Sequence, residues 1–200
     1  MRCRRRINRP LLLTRGLIKA SLILLALCAY SPAQGTSDPE LRHLLKEAVE
    51  ADLGFEDRFD AQVWLLDMSQ RLEKFVGDPK TRIEMLQRVH YEARRVDIEP
   101  ELVLAVIEVE SAFDEYAISV SGARGLMQVM PFWLDEIGIS DQNLFKINTN
   151  LRMGCTILRY YIDMEPHDLG RALARYNGSL GQTVYPNKVI AALQHHWFKQ

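Results

Sequence analysis

A carboxylate at the end of an apolar helical stripe is the first group in this sequence that could do chemistry. Glu110 follows Ile107, Val106 and Val103 by three, four and seven residues, so all four share one face of a helix starting near Pro100. Apolar neighbours exclude water from such a carboxyl and raise its pKa toward the range useful for a general acid. Spacing alone leaves an alternative open and even favours it: Glu110 begins the following loop and points into water. Glu101 and Glu108 fall on other faces of the same helix and read as solvated. The nearest rivals for a second carboxylate, Asp114 and Glu115, lie in the polar run Phe113-Asp114-Glu115-Tyr116 and also read as solvated.

Nucleophiles and metal ligands are sparse. Cys155 sits in the apolar pattern of a helix with Leu151, Gly154 and Leu158, where a thiol serves as a packing group. Cys28 follows Leu27, whereas a lipidated cysteine would follow a small residue, so lipid attachment is not expected. The three cysteines form no disulfide framework and no metal-ligand spacing.

The elements that must position Glu110 read as helices throughout. Apolar positions recur at helical spacing over Glu40–Leu53 and Ala61–Val76, a first block closed by Gly77-Asp78-Pro79. Thr81–Val96 repeats the pattern through Ile83, Leu86, Val89, Ala93 and Val96, and Pro100 suits the first turn of the next helix. Phe113 to Gly125, with its serines and glycines, is a loop. Helical signals resume at Leu126–Ile137, Thr149–Met164, Asp168–Tyr176 and Asn187–Trp197. Alternation of period two is not evident, so the fold class is all-α.

The context of Glu110 adds a second line of argument. Glu110-Ser111 is followed by Ala117-Ile118-Ser119, then by Gly122-Ala123-Arg124-Gly125-Leu126-Met127-Gln128-Val129-Met130-Pro131, and far downstream by Ala172-Leu173-Ala174-Arg175-Tyr176-Asn177-Gly178. In this order and spacing, the segments resemble the catalytic domain of the family 1, soluble-type lytic transglycosylases of the lysozyme-like superfamily, over roughly residues 83–193. The resemblance implies a lysozyme-like domain and cleavage of the β-1,4 bond between N-acetylmuramic acid and N-acetylglucosamine, leaving a 1,6-anhydro end. It makes Glu110 the single acid/base. It places Ser119, Ser121, Gln128, Met130, Tyr176 and Asn177 along the sugar site, with the Tyr176 hydroxyl near the catalytic carboxylate. Each has a plainer reading: the serines as turn or cap residues, Met130 (and more so Met127) and Tyr176 as core. Gly122 and Gly125 read as backbone devices for a tight turn. No metal or organic cofactor is implied.

Two departures from the family pattern fall at the cleft edges. Pro131-Phe132-Trp133 replaces a threonine-containing run, and Gly178-Ser179-Leu180-Gly181 stands where Ala-Gly-Pro-Gly is usual. They bear on subsite preference more than on the reaction.

Charge and composition set the surroundings. The net charge of -1 conceals seven cations and no acid in residues 1–33, so residues 34–200 carry -8. That balance disfavours a nucleic-acid partner, which would want a basic footprint. Residues 1–33 run from a basic stretch through apolar Ala20–Tyr30 to Ser31-Pro32-Ala33, the order of a secretory signal peptide, with an uncleaved membrane anchor as the alternative. The expected organisation is therefore a signal peptide over 1–33, a helical N-terminal extension over 34–82 and a lysozyme-like catalytic domain over 83–200. Periplasmic glycan strands are the expected partner of a monomer. Residues 40–82 either buttress the catalytic domain through Val63, Leu65, Leu66 and Leu72 or engage a cell-envelope assembly partner, and buttressing is the favoured expectation.

Overall fold

The computed structural model describes residues 58–139 and 142–198, with side chains from Trp64 onward. The expected signal peptide, the helix over Glu40–Leu53 and the Val63 side chain lie outside the described residues. Among the described residues seven α-helices follow in order: α1 Arg58–Leu72, α2 Pro79–Arg95, α3 Pro100–Ser111, α4 Phe132–Glu136, α5 Ile147–Met164, α6 Leu169–Tyr176 and α7 Val184–Ala192. A wider π-type turn over Leu193–Trp197 extends α7. Among the described residues the extended pairing is limited to isolated bridges, Ile118 with Arg124 and Arg124 with Val129. The all-α class follows.

α3 is the centre of the core formed by the described residues. Every residue from Pro100 to Ile107 is buried, because α2, α7 and the π-type turn pack around it. A helix that is apolar on nearly all sides has to be enclosed in this way. Pro100 opens it at a position where the missing N–H has no intrahelical partner to lose. α2 starts at Asp78, whose carboxylate accepts from the Thr81 amide at 2.7 Å and from the Thr81 hydroxyl at 2.6 Å. α2 and α5 are tied by buried Glu92, which pairs with Arg95 at 2.7 Å and with Arg152 at 3.1 Å. α1 contributes Trp64, Met68 and Leu72 to the same core. Leu65 is half-buried against that core, whereas Leu66, expected to help cover it, is 75% exposed.

Two readings of the α3 acids are corrected. Glu101 is buried and accepts a hydrogen bond from Trp64 Nε1 at 3.0 Å. Glu108 is half-buried and lies 2.8 Å from His196 Nδ1, and it accepts from Trp197 Nε1 at 2.7 Å. Both carboxylates leave water for partners supplied by other helices, and such partners lie beyond the reach of local spacing. A third correction concerns Leu126–Ile137. Only Phe132–Glu136 is helical, because Gly125 and Gln128 both take positive φ, 72° and 49°, which an α-helix does not admit. The expected helix at the C-terminus begins earlier, at Val184, and its last turn widens at Leu193.

Gly154 shows how tightly α5 meets this loop. A Cβ there would lie 2.5 Å from Met127 Sδ and 2.7 Å from Met127 Cβ. Gly154→Ala is therefore expected to destabilise the fold by about 1–3 kcal/mol despite alanine's better helix propensity, because the buried Met127 has to move. Thermal or urea melting of the variant checks this.

Candidate active site

Glu110 occupies the last turn of α3, and the chain reverses immediately after it. Ala112 and Phe113 both adopt left-handed backbone angles, φ 49° and 67°, which cost non-glycine residues on the order of 1–3 kcal/mol each. Packing holds them there. The Phe113 ring is buried, 5.0 Å from Phe75 and 5.5 Å from Trp197. Ser111 fastens the same corner, since its hydroxyl donates to the Leu126 carbonyl at 2.8 Å. The loop that begins at Phe113 is thereby anchored beside Glu110.

The carboxyl of Glu110 lies mostly out of water, and that burial pushes its pKa up to about 7. Hydrogen bonds from Tyr185 and Asn177 oppose the shift without cancelling it. The Tyr185 hydroxyl donates to Glu110 Oε1 at 2.7 Å. Burial, with the Glu110 charge second, holds the Tyr185 hydroxyl far above the usual phenol range, so it stays a donor. A carboxyl that is about half protonated near neutrality can both give and take a proton, which is the property acid/base work requires.

Glu110 opens onto a cleft of about 310 Å³. Asn177, Ser179, Gln182, Tyr185 and Lys188 share its lining, as do the apolar Val109 and Val184. Among the described residues this lining holds no second carboxylate. Asp114 is exposed, and its carboxylate closes a local turn by accepting from the Tyr116 amide at 2.9 Å.

The other residues singled out from the sequence are distributed around this centre. Asn177 lies in the cleft with Glu110. The Tyr176 hydroxyl donates to the Met127 carbonyl at 2.7 Å, while it is Tyr185 that bonds the carboxyl. Ser119 Oγ accepts from the Ala123 amide at 3.0 Å and lies 3.3 Å from Ser121 Oγ, so the two serines brace the turn that carries Gly122. Gln128 donates from Nε2 to the carbonyls of Ala117 and Gly125, at 3.1 and 3.0 Å, and pins the loop to itself. Met130 is half-buried against the core, and Met127 is fully buried. Cys155 is buried as expected, its thiol pushed far up by burial.

Sequence reasoning placed Ser179 only within a run at the cleft edge, and it missed Tyr185, Gln182, Lys188 and Asn150. The Asn150 side chain accepts from the Met127 amide at 2.8 Å and donates to the carbonyls of Arg124 and Leu144 at 2.7 and 2.9 Å. Gly125 allows that approach, because a Cβ there would lie 2.5 Å from Asn150 Nδ2 and 2.6 Å from the Leu144 carbonyl. An asparagine amid the apolar positions of α5 was the available signal for Asn150. For Tyr185 the signal was a tyrosine one helical turn from Lys188.

Tyr185→Phe removes the donor that favours the charged form of Glu110. The alkaline limb of kcat/KM should then move to higher pH, and its maximum should fall by about tenfold. A pH–rate profile of the variant beside the unaltered protein measures both.

Comparison with known proteins identifies the family. The family described as "Transglycosylase SLT domain" matches residues 88–189. A membrane-bound lytic murein transglycosylase C of Actinobacillus pleuropneumoniae is 52% identical over 48 residues, 24% of this chain and 13% of that protein. The corresponding protein of Haemophilus ducreyi is 51% identical over 39 residues, 20% of this chain and 11% of that protein. A transglycosylase of Enterobacteria phage PRD1 is 32% identical over 101 residues, 47% of this chain and 37% of that protein. The chain thus aligns with well under half the length of these relatives.

Proposed function

The chain belongs to the transglycosylase SLT domain family, and from that premise we propose that it is a peptidoglycan lytic transglycosylase with Glu110 as its single acid/base. One observation carries the reading: a carboxyl raised to about 7, held by Tyr185, in a cleft whose described lining offers no second acid. Glycosidases that hydrolyse through two carboxyl groups need both beside the scissile bond. A single carboxyl serves when nucleophile and leaving group are both parts of the glycan.

Protonated Glu110 donates its proton to the glycosidic oxygen linking N-acetylmuramic acid to N-acetylglucosamine, and the bond from C1 to that oxygen breaks. The substrate's own acetamido oxygen meets the positive charge that develops at C1. Glu110, now a carboxylate, takes the proton of the muramoyl 6-hydroxyl as that oxygen attacks C1 and displaces the acetamido oxygen. The proton lost in the first step is regained in the second, no water is consumed, and the product ends in a 1,6-anhydro sugar. Because the two transfers are sequential, one residue performs both. Tyr185 and Asn177 orient the carboxyl throughout.

We assign Asn177 to the glycan-binding wall of the cleft. Ser119, Ser121, Gln128 and Met130 shape the loop that borders it, and Tyr176 fixes the Met127 backbone beneath. The basic, apolar and small-residue order of residues 1–33 supports export to the periplasm, where the glycan lies. Among the described residues no helix is long and apolar enough to cross a membrane.

Mass spectrometry of the muropeptides released from purified peptidoglycan tests the reading. Anhydro ends that disappear with Glu110→Gln are expected. Free reducing ends from the unaltered protein would make it a hydrolase instead.

A further inference from the structure

Two features of the cleft are unused by this chemistry. Ser179 Oγ is buried and has no hydrogen-bond partner among the described residues, although Ser179 lines the cleft. A hydroxyl left in that state is unfavourable unless something else satisfies it. Lys188 lines the same cleft and forms no ion pair among the described residues. It lies one turn beyond Tyr185 on α7, on the same side of the helix.

With Glu110, Lys188 makes up the charged part of the described lining, and a protonated Glu110 leaves the ammonium as its one charge. That matters because residues 34–200 carry -8, a field that repels acidic substrates. Building on the lytic transglycosylase reading, we propose that Ser179 and Lys188 form a specificity subsite for a carboxylate on the lactyl-peptide arm of the muramoyl residue. Lys188 supplies the ammonium and Ser179 a hydroxyl donor. Asn177 and Gln182 line the remainder of the subsite as neutral hydrogen-bonding groups.

The test is a cycle of protein and substrate changes. Unaltered protein, Lys188→Gln, Lys188→Arg and Ser179→Ala are assayed for anhydro-product formation on intact sacculi and on sacculi whose carboxyls have been amidated with a carbodiimide and ammonia. On intact sacculi Lys188→Gln should lower kcat/KM by about fivefold and Lys188→Arg by less, as expected for a partly exposed ion pair. On amidated sacculi the ratio of unaltered protein to Lys188→Gln should collapse to about one. Ser179→Ala should also lose about fivefold on intact sacculi while melting at the same or a higher temperature, because it removes a buried unpaired hydroxyl. A purely structural serine would not separate those two readouts. In peptide-bearing residues the lactyl carboxyl is already in amide linkage, so a collapse on amidated sacculi assigns the contact to a carboxylate of the peptide. An equal Lys188→Gln defect on intact and amidated sacculi overturns the proposal, as does unchanged kcat/KM for both Lys188→Gln and Ser179→Ala. If the unaltered protein forms no anhydro ends on either substrate, it is the reading of the reaction that fails.

Discussion

Glu110→Gln is expected to lower kcat by about 10⁴-fold or more while leaving the fold intact. General acid and general base catalysis each contribute about 10²–10⁴-fold, and here one side chain does both. Glutamine keeps the shape of the carboxyl and can still accept from the Tyr185 hydroxyl, so the lost activity is chemical. Stability should move the opposite way. The carboxyl titrates near 7 when folded and near its ordinary value of 4.5 when unfolded, so between those values the folded chain holds a proton that the unfolded chain has lost. Stability therefore falls as pH rises from 4.5 to about 7, and above 7 the folded protein carries the full penalty of an ionised buried group. That penalty is at most about 3 kcal/mol. Glu110→Gln is expected to melt higher than the unaltered protein at pH 8 and to lose that advantage at pH 4. Calorimetry at the two pH values, with CD spectra to confirm the fold, checks it.

Asn150→Ala is expected to cause the largest loss of stability, about 3–5 kcal/mol. The substitution removes the side-chain partner of the Met127 amide and of the Leu144 carbonyl and leaves the Arg124 carbonyl with the Val129 amide alone, in a site where Asn150 is 1% exposed. For a domain of this size such a loss lowers Tm by on the order of 10 °C. Activity should fall further than the melting shift explains, because the loop from Arg124 to Met127 is the one that Ser111 ties to the helix bearing Glu110. Asn150→Asp retains the acceptor for the Met127 amide and removes both donors, so an intermediate loss is expected. Urea denaturation of the two variants ranks them, and equal stability of both with the unaltered protein would show that the loop is held by other means.

Much of this architecture was legible in the sequence. α2, α3, α5 and α6 came through because each has apolar residues at helical spacing, with starts marked by Pro100 and Asp168, while Pro79, read as part of the break before α2, opens that helix instead. Leu126–Ile137 misled for a physical reason. Leu126, Met127 and Val129 are apolar because a loop buries them, and periodicity cannot distinguish a buried loop from a buried helix face. Gly125 was the available sign of a break, and the left-handed Gln128 was not. Glu101 and Glu108 misled in the opposite sense. Their partners, Trp64, His196 and Trp197, are 37 to 89 residues away in the chain, so only the packing of α1 and the C-terminal turn onto α3 brings them together. At the site, the apolar stripe pointed to Glu110, but spacing by itself left its orientation open. Which tyrosine reaches Glu110 depends on how α6 and α7 pack, and no local pattern encodes it.

The claim that the attacking oxygen belongs to the glycan has one direct test, cleavage of purified peptidoglycan in ¹⁸O-labelled water. The account predicts that muropeptides released by the unaltered protein carry no label and end in 1,6-anhydro sugars. One labelled oxygen at each newly formed end would show that water attacks C1, and the single-carboxyl mechanism built on Glu110 would be contradicted.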